Sequence, residues 1–325
     1  MLLRKTAAAA GILAAGLVLS AFTPQNVECI APANPGGGWD FTCRQVSKLL
    51  SDLGLVPGTV QVTNMPGGTG ATAYANVMSK RSEDANLIVA TSTVGVTQIA
   101  QNRYPADMDA MRWLAMLYAD VGVVLVKKDA PYQTLDDLIE AVKADPSAVV
   151  FGGSSAVGGW DHLRLLLLAQ AAGVPNEDLG KIRWVQYDGG TDAVTQMLGG
   201  FLNAVSTDLG EIAGFVDANQ VKVLTVMSDE PLPGKYASLP TAKSQGYDVT
   251  GYNWRGFYTG GKVSDEAYDF WIDALKKVSD SDQWQKIALD NGLTPIWRGG
   301  DDFQSFVQDQ VDKMRKISKE IGVIQ

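Results

Sequence analysis

The 325-residue sequence has little of what metal sites and nucleic-acid sites need. One histidine and two cysteines are too few for a His-rich or Cys-rich metal site of the usual spacing. The chain carries 27 Lys and Arg against 36 Asp and Glu, a net charge of −9, and no run of basic residues forms the stripe that binds phosphates. We therefore expect no zinc chemistry, no cofactor and no nucleic-acid partner.

Long apolar runs are also absent beyond the N-terminus. The first residues, Met-Leu-Leu-Arg-Lys, lead into an Ala-, Leu- and Gly-rich stretch that ends near Phe22, and Thr23 returns to polarity. This pattern predicts a signal peptide over residues 1–23. A membrane anchor is the alternative, but the run is shorter than the ~20 residues that a spanning helix needs. We expect an acidic exported protein.

The two cysteines, Cys29 and Cys43, are about 14 residues apart, a span that a disulfide can close in an oxidising compartment. The alternative is a pair of buried thiols that behave as small hydrophobic side chains. The sequence leaves both open.

What the chain does contain is 46% apolar residues and 34 glycines, and short β-branched runs alternate with helical patterns. This alternation predicts an α/β architecture with mainly parallel strands. The predicted strands are Val27–Ala31, Val60–Thr63, Leu87–Ala90, Val121–Val126, Val149–Phe151, Ile182–Gln186, Ala204–Ser206 and Val221–Val226.

The C-terminal part differs, because helical patterns over Ser264–Ser279, Asp282–Asn291 and Asp302–Ile321 follow one another with no clear strand. An apolar stripe in the last of them predicts an amphipathic helix that covers an earlier domain. We therefore expect one lobe built from residues 24–119 and 253–325, and a second lobe built from residues 120–252. Two crossing strands between lobes are a hinge geometry.

Four times, a predicted strand runs into a glycine-rich turn at the start of a predicted helix. We name these the first turn (Pro35–Asp40), the second turn (Asn64–Gly70), the third turn (Gly152–Gly159) and the fourth turn (Tyr187–Thr191). Glycine lets the backbone approach a ligand, and the free N–H groups of a helix N-terminus attract an anion. Each turn alone fits a plain strand-to-helix connection, but two fall in each predicted lobe, so we predict an anion held between them.

The candidate ligand-binding residues lie on or beside these turns. We expect Asp40 to orient the first turn, Trp39 to offer a flat apolar wall, and neutral donors to suit carboxylate oxygens. Arg164, Arg183 and Arg255 are further cations without an assigned place. The predicted set is Asn34, Gly36, Gly37, Gly38, Trp39, Asp40, Gly68, Thr69, Thr91, Ser92, Ser154, Ser155, Gly158, His162, Tyr187, Gly189, Thr191 and Asp208.

Competing motifs fit less well. Residues 68–73 match a G-x-G-x-x-A dinucleotide fingerprint, but Ala90 at the end of the next strand is followed by Thr91 and not by the expected acid. No phosphate-binding G-x-x-x-x-G-K-[S/T] loop occurs. Ser155 and His162 leave a secreted Ser/His hydrolase as the alternative function, although no G-x-S-x-G elbow surrounds the serine.

Taken together, the turns resemble those of the periplasmic substrate-binding receptors of tripartite tricarboxylate transporters, also called Bug receptors. The matching motifs are P-G-G-G-x-D (Pro35–Asp40), N-x-P-G-G-x-G (Asn64–Gly70), S-S-x-x-G-x-x-x-H-L (Ser154–Leu163), Y-x-G-G-T-D-A (Tyr187–Ala193) and Leu198–Gly200. The segment Cys29–Ala33, with Trp39, Asp40 and Cys43, is closer to the tricarboxylate, citrate-type receptors.

The resemblance implies a two-lobed Venus-flytrap fold and no enzymatic activity. A monomer would capture a di- or tricarboxylate and deliver it to membrane permease subunits. The first and second turns would hold one carboxylate, and the third and fourth turns would close over it. Many relatives carry Lys or Ser where this chain has Asp188, which adds a negative charge beside the site.

Overall fold

The computed structural model describes residues 22–325, so the predicted signal peptide lies, except for its last two residues, outside the described part. Within that range, no helix combines the length and the apolar character needed to cross a membrane. The strands are β1 (Glu28–Ala31), β2 (Gln61–Asn64), β3 (Leu87–Ser92), β4 (Met111–Lys127), β5 (Val150–Gly153), β6 (Arg183–Gln186), β7 (Ala204–Asp208), β8 (Val221–Val226), β9 (Tyr252–Gly260) and β10 (Thr294–Gly299).

The helices of the same range lie between and after these strands. They are α1 (Gly38–Asp52), α2 (Ala71–Lys80), α3 (Thr93–Ala100), α4 (Leu135–Ala144), α5 (Trp160–Ala171), α6 (Asn176–Leu179), α7 (Gly190–Leu198), α8 (Leu209–Asp217), α9 (Asp265–Asp280), α10 (Asp282–Asp290) and α11 (Gly300–Glu320).

The strands form two sheets that share β4, in the order β2-β1-β3-β9-β4-β7-β5-β6, with β10 and β8 also paired to β4. The outer strands run parallel, since β1 pairs with β2 and β3, and β5 pairs with β6 and β7. Every pairing of β4 and β9 is antiparallel. The predicted α/β class is confirmed, but the sheets are mixed rather than mainly parallel, because the chain crosses between them and returns.

The predicted strands mark most of the sheet, but three segments differ. The predicted strand Val121–Val126 is only the second half of β4, and β9 lies where the chain was expected to return to the first lobe, although its bounds were not predicted. The expectation of no strand in the C-terminal part is wrong, because β10 lies between α10 and α11 and pairs with β4. β10 is an edge strand with an exposed proline, Pro295, and an irregular register, so its sequence lacks the apolar alternation of a strand.

Helix α11 carries the predicted apolar stripe. Phe303, Val307, Val311 and Met314 are buried in the first hydrophobic core, where the helix contacts α3 and β4. The first core also contains β1, β3 and α1, and Cys29 of β1 forms a disulfide with Cys43 of α1 across a Cα–Cα distance of 5.8 Å. Two further cores lie on either side of the second sheet.

Two glycines occupy the point where β4 passes from one sheet to the other. Residues Met111–Val121 of β4 pair with β9, and from Gly122 onward β4 pairs with β7. The N–H of Gly122 donates to the carbonyl of Gly251 at 2.9 Å, and Gly122 in turn accepts from the N–H of Met227 at 2.7 Å. A Cβ at Gly122 would lie 2.7 Å from the Gly251 oxygen, so only glycine allows this approach.

We predict that Gly122→Ala destabilises the protein by about 1–3 kcal/mol, because the added methyl group overpacks the crossing of the two strands. Urea-induced unfolding measures the change. Gly214→Ala is the matched control, because Gly214 lies exposed inside α8 and an added methyl group there would have no neighbouring atom within 4 Å. There the substitution should stabilise by about 0.5–1 kcal/mol. A Gly122→Ala variant as stable as the parent would contradict the account.

Candidate functional site

The first and fourth turns face each other across the cleft between the two sheets. The Thr191 hydroxyl donates to the Gly36 carbonyl at 3.1 Å, and the Asn34 side-chain amide donates to Asp192 Oδ2 at 3.1 Å. A Cβ at Gly189 would lie 3.4 Å from the Cα of Gly37, so the two backbones nearly touch. The cleft is therefore closed at this edge.

The second and third turns close the remaining edges. The Gln186 side-chain amide, at the end of β6, donates to Thr69 Oγ1 of the second turn at 3.0 Å. The carbonyl of Gly158 in the third turn accepts from Gln101 Nε2 at 2.5 Å, and the neighbouring Val157 carbonyl accepts from Arg103. All four predicted turns thus make contacts that cross between the two halves of the molecule.

Three of the turns already bind a carboxylate of the chain itself. Asp40 accepts the N–H of Gly36 at 2.9 Å, Asp161 accepts the N–H of Ser154 at 3.0 Å, and Glu211 accepts the N–H of Gly190 at 2.6 Å. Asp40 is thereby tied to the backbone of the first turn. These acids use backbone donors that the sequence alone would leave for a ligand.

Three hydrogen-bond donors hold the Asp40 carboxylate in its charged form. Burial by itself would raise its pKa, but hydrogen bonds from Arg44, from the Gly36 N–H and from Asn64 lower the pKa below the ordinary value of an aspartate. Arg44 Nε lies 2.9 Å and Asn64 Nδ2 lies 2.8 Å from this carboxylate. Its charge is thus met by Arg44 of α1, by the Gly36 N–H and by Asn64 of the second turn.

Behind the cleft lies a buried ion cluster that we define as Asp120, Asp161, Arg164, Asp208, Glu211, Asn253 and Arg255. Asp208, which ends β7, is at its centre: one oxygen lies 2.5 Å from Arg164 Nη1, and the other accepts from Arg255 and from Asn253. Arg164 also lies 2.8 Å from Asp161, and Arg255 lies 2.8 Å from Glu211. Both oxygens of Asp208 are therefore occupied by the protein.

The ion cluster holds four acids and two arginines, so its acids do not all find a cation. Burial and the negative charge of Asp208 raise the pKa of Asp120 well above the ordinary value. Burial by itself would also raise the pKa of Asp208. The positive charges of Arg164 and Arg255 outweigh this effect and lower the pKa of Asp208 below its ordinary value. Asp208 is therefore the charged centre of the cluster, and Asp120 retains its proton to a higher pH than an ordinary aspartate does.

A small cavity lies where the ion cluster meets the turns, with a volume of about 20 Å³, room for one water-sized molecule. Its wall includes Gly38, Trp39, Ser154, Gly189, Glu211 and Arg255. A methyl group at Gly38 would overlap the Arg255 guanidinium, so α1 begins directly against this cation. The N-cap residue of α1, Gly37, makes no side-chain cap bond, whereas at the start of α7 Glu211 accepts the N–H of Gly190.

Two residues of this cavity wall, Trp39 and Arg255, each carry an N–H donor that has no partner among the described residues. Trp39 Nε1 and Arg255 Nε are both buried and unpaired. Buried donors are normally satisfied, so two unpaired donors on residues of one cavity wall leave room for an acceptor beside them. The donor chemistry, an indole N–H and a guanidinium beside a helix N-terminus, suits an anion.

Several other predicted residues lie outside the small cavity. Ser92 caps α3 by accepting the Val94 N–H at 3.1 Å, and the buried Thr91 precedes it in β3. Gly68 lies in the second turn with a positive φ of 58°. Tyr187 is half-buried and lines, with Asn34 and Asp188, a wider depression of about 460 Å³ on the outer side of the closed cleft. Arg183, in contrast to Arg164 and Arg255, is exposed.

Ser155 and His162 do not form a catalytic pair. Ser155 Oγ accepts the N–H of Asp161 at 3.0 Å, and His162 Nδ1 accepts the N–H of Gly158 at 2.8 Å, so each side chain supports the third turn. Burial and the nearby Arg103 charge lower the pKa of His162 to about 4. The hydrolase alternative therefore loses the hydrogen bond between nucleophile and base that it requires.

Comparison with known proteins agrees with this arrangement. The family model described as "Tripartite tricarboxylate transporter family receptor" matches residues 43–323. A UPF0065 protein of Bordetella pertussis (strain Tohama I) is 24% identical over 99% of this chain and 98% of its own length. The protein BugT of the same organism is 22% identical over 97% of this chain and 94% of its own length.

Two solved structures have the same fold. The periplasmic binding protein BugD superposes with a TM-score of 0.80 at 20% identity, covering 91% of this chain and 97% of its own. MatC from Rhodopseudomonas palustris, solved with bound malate, superposes with a TM-score of 0.75 at 17% identity, covering 90% and 98%. These likenesses confirm the predicted two-lobed periplasmic binding protein fold.

We predict that Arg255→Gln destabilises the protein by about 3–5 kcal/mol, because it leaves the buried Glu211 without its cation. The double variant Arg255→Gln/Glu211→Gln should recover part of this loss, since the second change removes the unpaired charge. Urea unfolding of the single and double variants measures both effects. A double variant no more stable than Arg255→Gln would show that the two groups are not coupled.

We also predict a pH-dependent effect of Asp120→Asn. Because the folded-state pKa of Asp120 is raised, the folded protein binds a proton that the unfolded chain has lost above about pH 4, and stability falls as the pH rises toward the raised value. The asparagine has no such proton. The free energy of unfolding of Asp120→Asn minus that of the parent should therefore increase as the pH is raised above about 5.

Urea unfolding at a series of pH values measures this difference. The same substitution at the exposed Asp309 of α11 controls for the loss of one surface charge. A difference between Asp120→Asn and the parent that stays constant with pH would refute the predicted shift.

Proposed function

Because the chain belongs to the tripartite tricarboxylate transporter receptor family, we propose that it captures a di- or tricarboxylate of the citrate type between its lobes and presents it to the membrane permease subunits. Receptors of this family bind solutes and are not enzymes, and they act in the periplasm. The proposal includes export by the N-terminal leader, a monomeric receptor and no nucleic-acid partner.

The proposed lobes are residues 24–119 with 253–325, and residues 120–252. Supporting this division, β4 changes its partner from β9 to β7 at Val121 and Gly122, and the return strand β9 begins at Tyr252. Hinge motion about these two strands would separate the first and second turns from the third and fourth.

The observation that carries the proposal is that two residues of the cavity wall, Trp39 and Arg255, have a buried and unpaired N–H donor, Nε1 and Nε respectively. A carboxylate placed between them would also face the uncapped N-terminus of α1, whose dipole favours negative charge. Charge-assisted hydrogen bonds of this kind are about twice as strong as neutral ones. One ligand carboxylate therefore suits this position.

Because the cleft is closed, a ligand can enter only when the two lobes separate. A cavity of about 20 Å³ is too small for a dicarboxylate, so the hydrogen bonds that cross the cleft edge, such as Thr191 to Gly36 and Gln186 to Thr69, have to open for it to enter. We propose that these bonds open when the lobes separate, and that the bound acid then holds the turns farther apart than they are here. A ligand with higher affinity for one lobe arrangement shifts the population toward it.

The acids of the cavity bear on which carboxylate is bound. Glu211 lines the cavity on the side of the fourth turn, and Asp188 of that turn lines it too. A second carboxylate aimed at these groups would be repelled, whereas a hydroxyl group could donate to Glu211. The proposal therefore favours hydroxylated acids such as malate and citrate, and MatC of the same fold was solved with malate.

The experiment is calorimetric titration of the purified protein with citrate, malate, succinate, tricarballylate and adipate. We expect saturable binding of at least one acid, with citrate or malate tighter than the unhydroxylated tricarballylate or succinate. A bound acid at 100 times its Kd should raise the free energy of unfolding by about 2.7 kcal/mol.

Trp39→Phe keeps the ring but removes the indole donor, so it should weaken that binding about tenfold, the effect of losing one hydrogen bond to a charged group. Trp284→Phe is the matched control: its indole N–H is also buried and unpaired, but it lies in the first core and not in the cavity wall. Equal affinities of the parent and Trp39→Phe would refute the proposed carboxylate position. No binding by any of the acids would refute the ligand class.

A further inference from the structure

A second, larger cavity lies on the opposite face of the crossing strands. Side chains alternate along a strand, and in β9 Asn253 and Arg255 belong to the ion cluster whereas Tyr252 and Trp254 line this other cavity. Its volume is about 470 Å³, within the range of small-molecule sites. The carboxylate cleft and this cavity are thus separate spaces on two faces of the same strands.

The walls of this back cavity are largely apolar. Trp254 and Phe306 meet edge to face, with ring centroids 5.9 Å apart, and Met116 and Met314 add sulfur-containing side chains. The Arg298 guanidinium lies over the Phe306 ring at 5.0 Å from its centroid. Flat aromatic walls of this kind suit a ligand with an aromatic or other apolar body.

Several polar groups of the residues that line the back cavity have no hydrogen-bond or ion-pair partner within the described part of the chain. The indole N–H groups of Trp160 and Trp254 are buried and have no partner among the described residues. Lys313 of α11, at the exposed rim, makes no ion pair or hydrogen bond with the described residues. The ammonium group of Lys313 is therefore the polar group at the rim that an anionic ligand could pair with.

The remaining charges of the cavity are already balanced. Arg298 lies 2.9 Å from Asp302, and Asp229 lies 2.6 Å from Lys243. The charge that a ligand would meet is therefore the single positive charge of Lys313. This matches one carboxylate, in contrast to the several carboxylates proposed for the cleft.

We propose that the back cavity is a second ligand site, which takes an organic monocarboxylate with an apolar, arylalkyl body. The carboxylate would pair with Lys313, and the apolar body would pack against the rings of Trp254 and Phe306. The site is independent of the cleft, because none of the residues that line it also lines the carboxylate cavity.

The experiment is titration of the purified protein with 3-phenylpropionate, followed by calorimetry and by ligand-observed NMR. We expect saturable binding with a Kd of about 1 mM or below. The neutral analogue 3-phenyl-1-propanol has the same apolar body without the charge and should bind more weakly. Lys313→Glu should weaken 3-phenylpropionate binding about fivefold or more, the upper range for an exposed ion pair.

Lys316→Glu is the matched control, because Lys316 lies on the same helix, is exposed and does not line the cavity. It should leave the affinity for 3-phenylpropionate within about twofold of the parent. Absence of saturable binding to the parent would overturn the proposal. So would binding that Lys313→Glu leaves unchanged but Trp39→Phe weakens, because the acid would then occupy the cleft.

Discussion

The site depends on the ion pairs and hydrogen bonds that the buried carboxylate of Asp208 makes. Asp208 ends β7 in one half of the molecule and binds Arg164 of α5, Arg255 of β9 and Asn253 beside it, so it joins a helix, a sheet and the returning crossing strand. Buried charges are costly unless they are paired. The position of Arg255 against the start of α1 is therefore fixed by a partner in the other half, and the hinge and the cleft share one electrostatic centre.

The glycine turns have a different role from the one that their sequence suggests. Free N–H groups at helix N-termini predict an anion site, yet Asp40, Asp161 and Glu211 already accept from the first, third and fourth turns. The chain's own acids therefore fix the shapes of these turns. What is left for a ligand is the pair of unpaired donors on Trp39 and Arg255, which is a more selective arrangement than four open anion sites.

Much of the fold and part of the candidate site could be predicted from the sequence. The remaining features could not, and each has a physical reason. The alternation of β-branched runs and helices predicted the α/β class, and the four turns predicted which segments meet, because both signals are local. The roles of Glu211 and Asp120 were missed, since each depends on residues about 20 or more positions away. β10 was missed because an edge strand with Pro295 needs no apolar alternation. Arg255 was named without a place, because spacing alone does not show which face of a strand meets the cleft.

The most direct test of the account is a crystal structure of the protein with the acid that it binds most tightly. We expect a ligand carboxylate oxygen within about 2.7–3.2 Å of both Trp39 Nε1 and Arg255 Nε, at the N-terminus of α1, with the ion cluster unchanged. A carboxylate bound elsewhere, with these two donors still unpaired, would contradict the central claim that they form the ligand site.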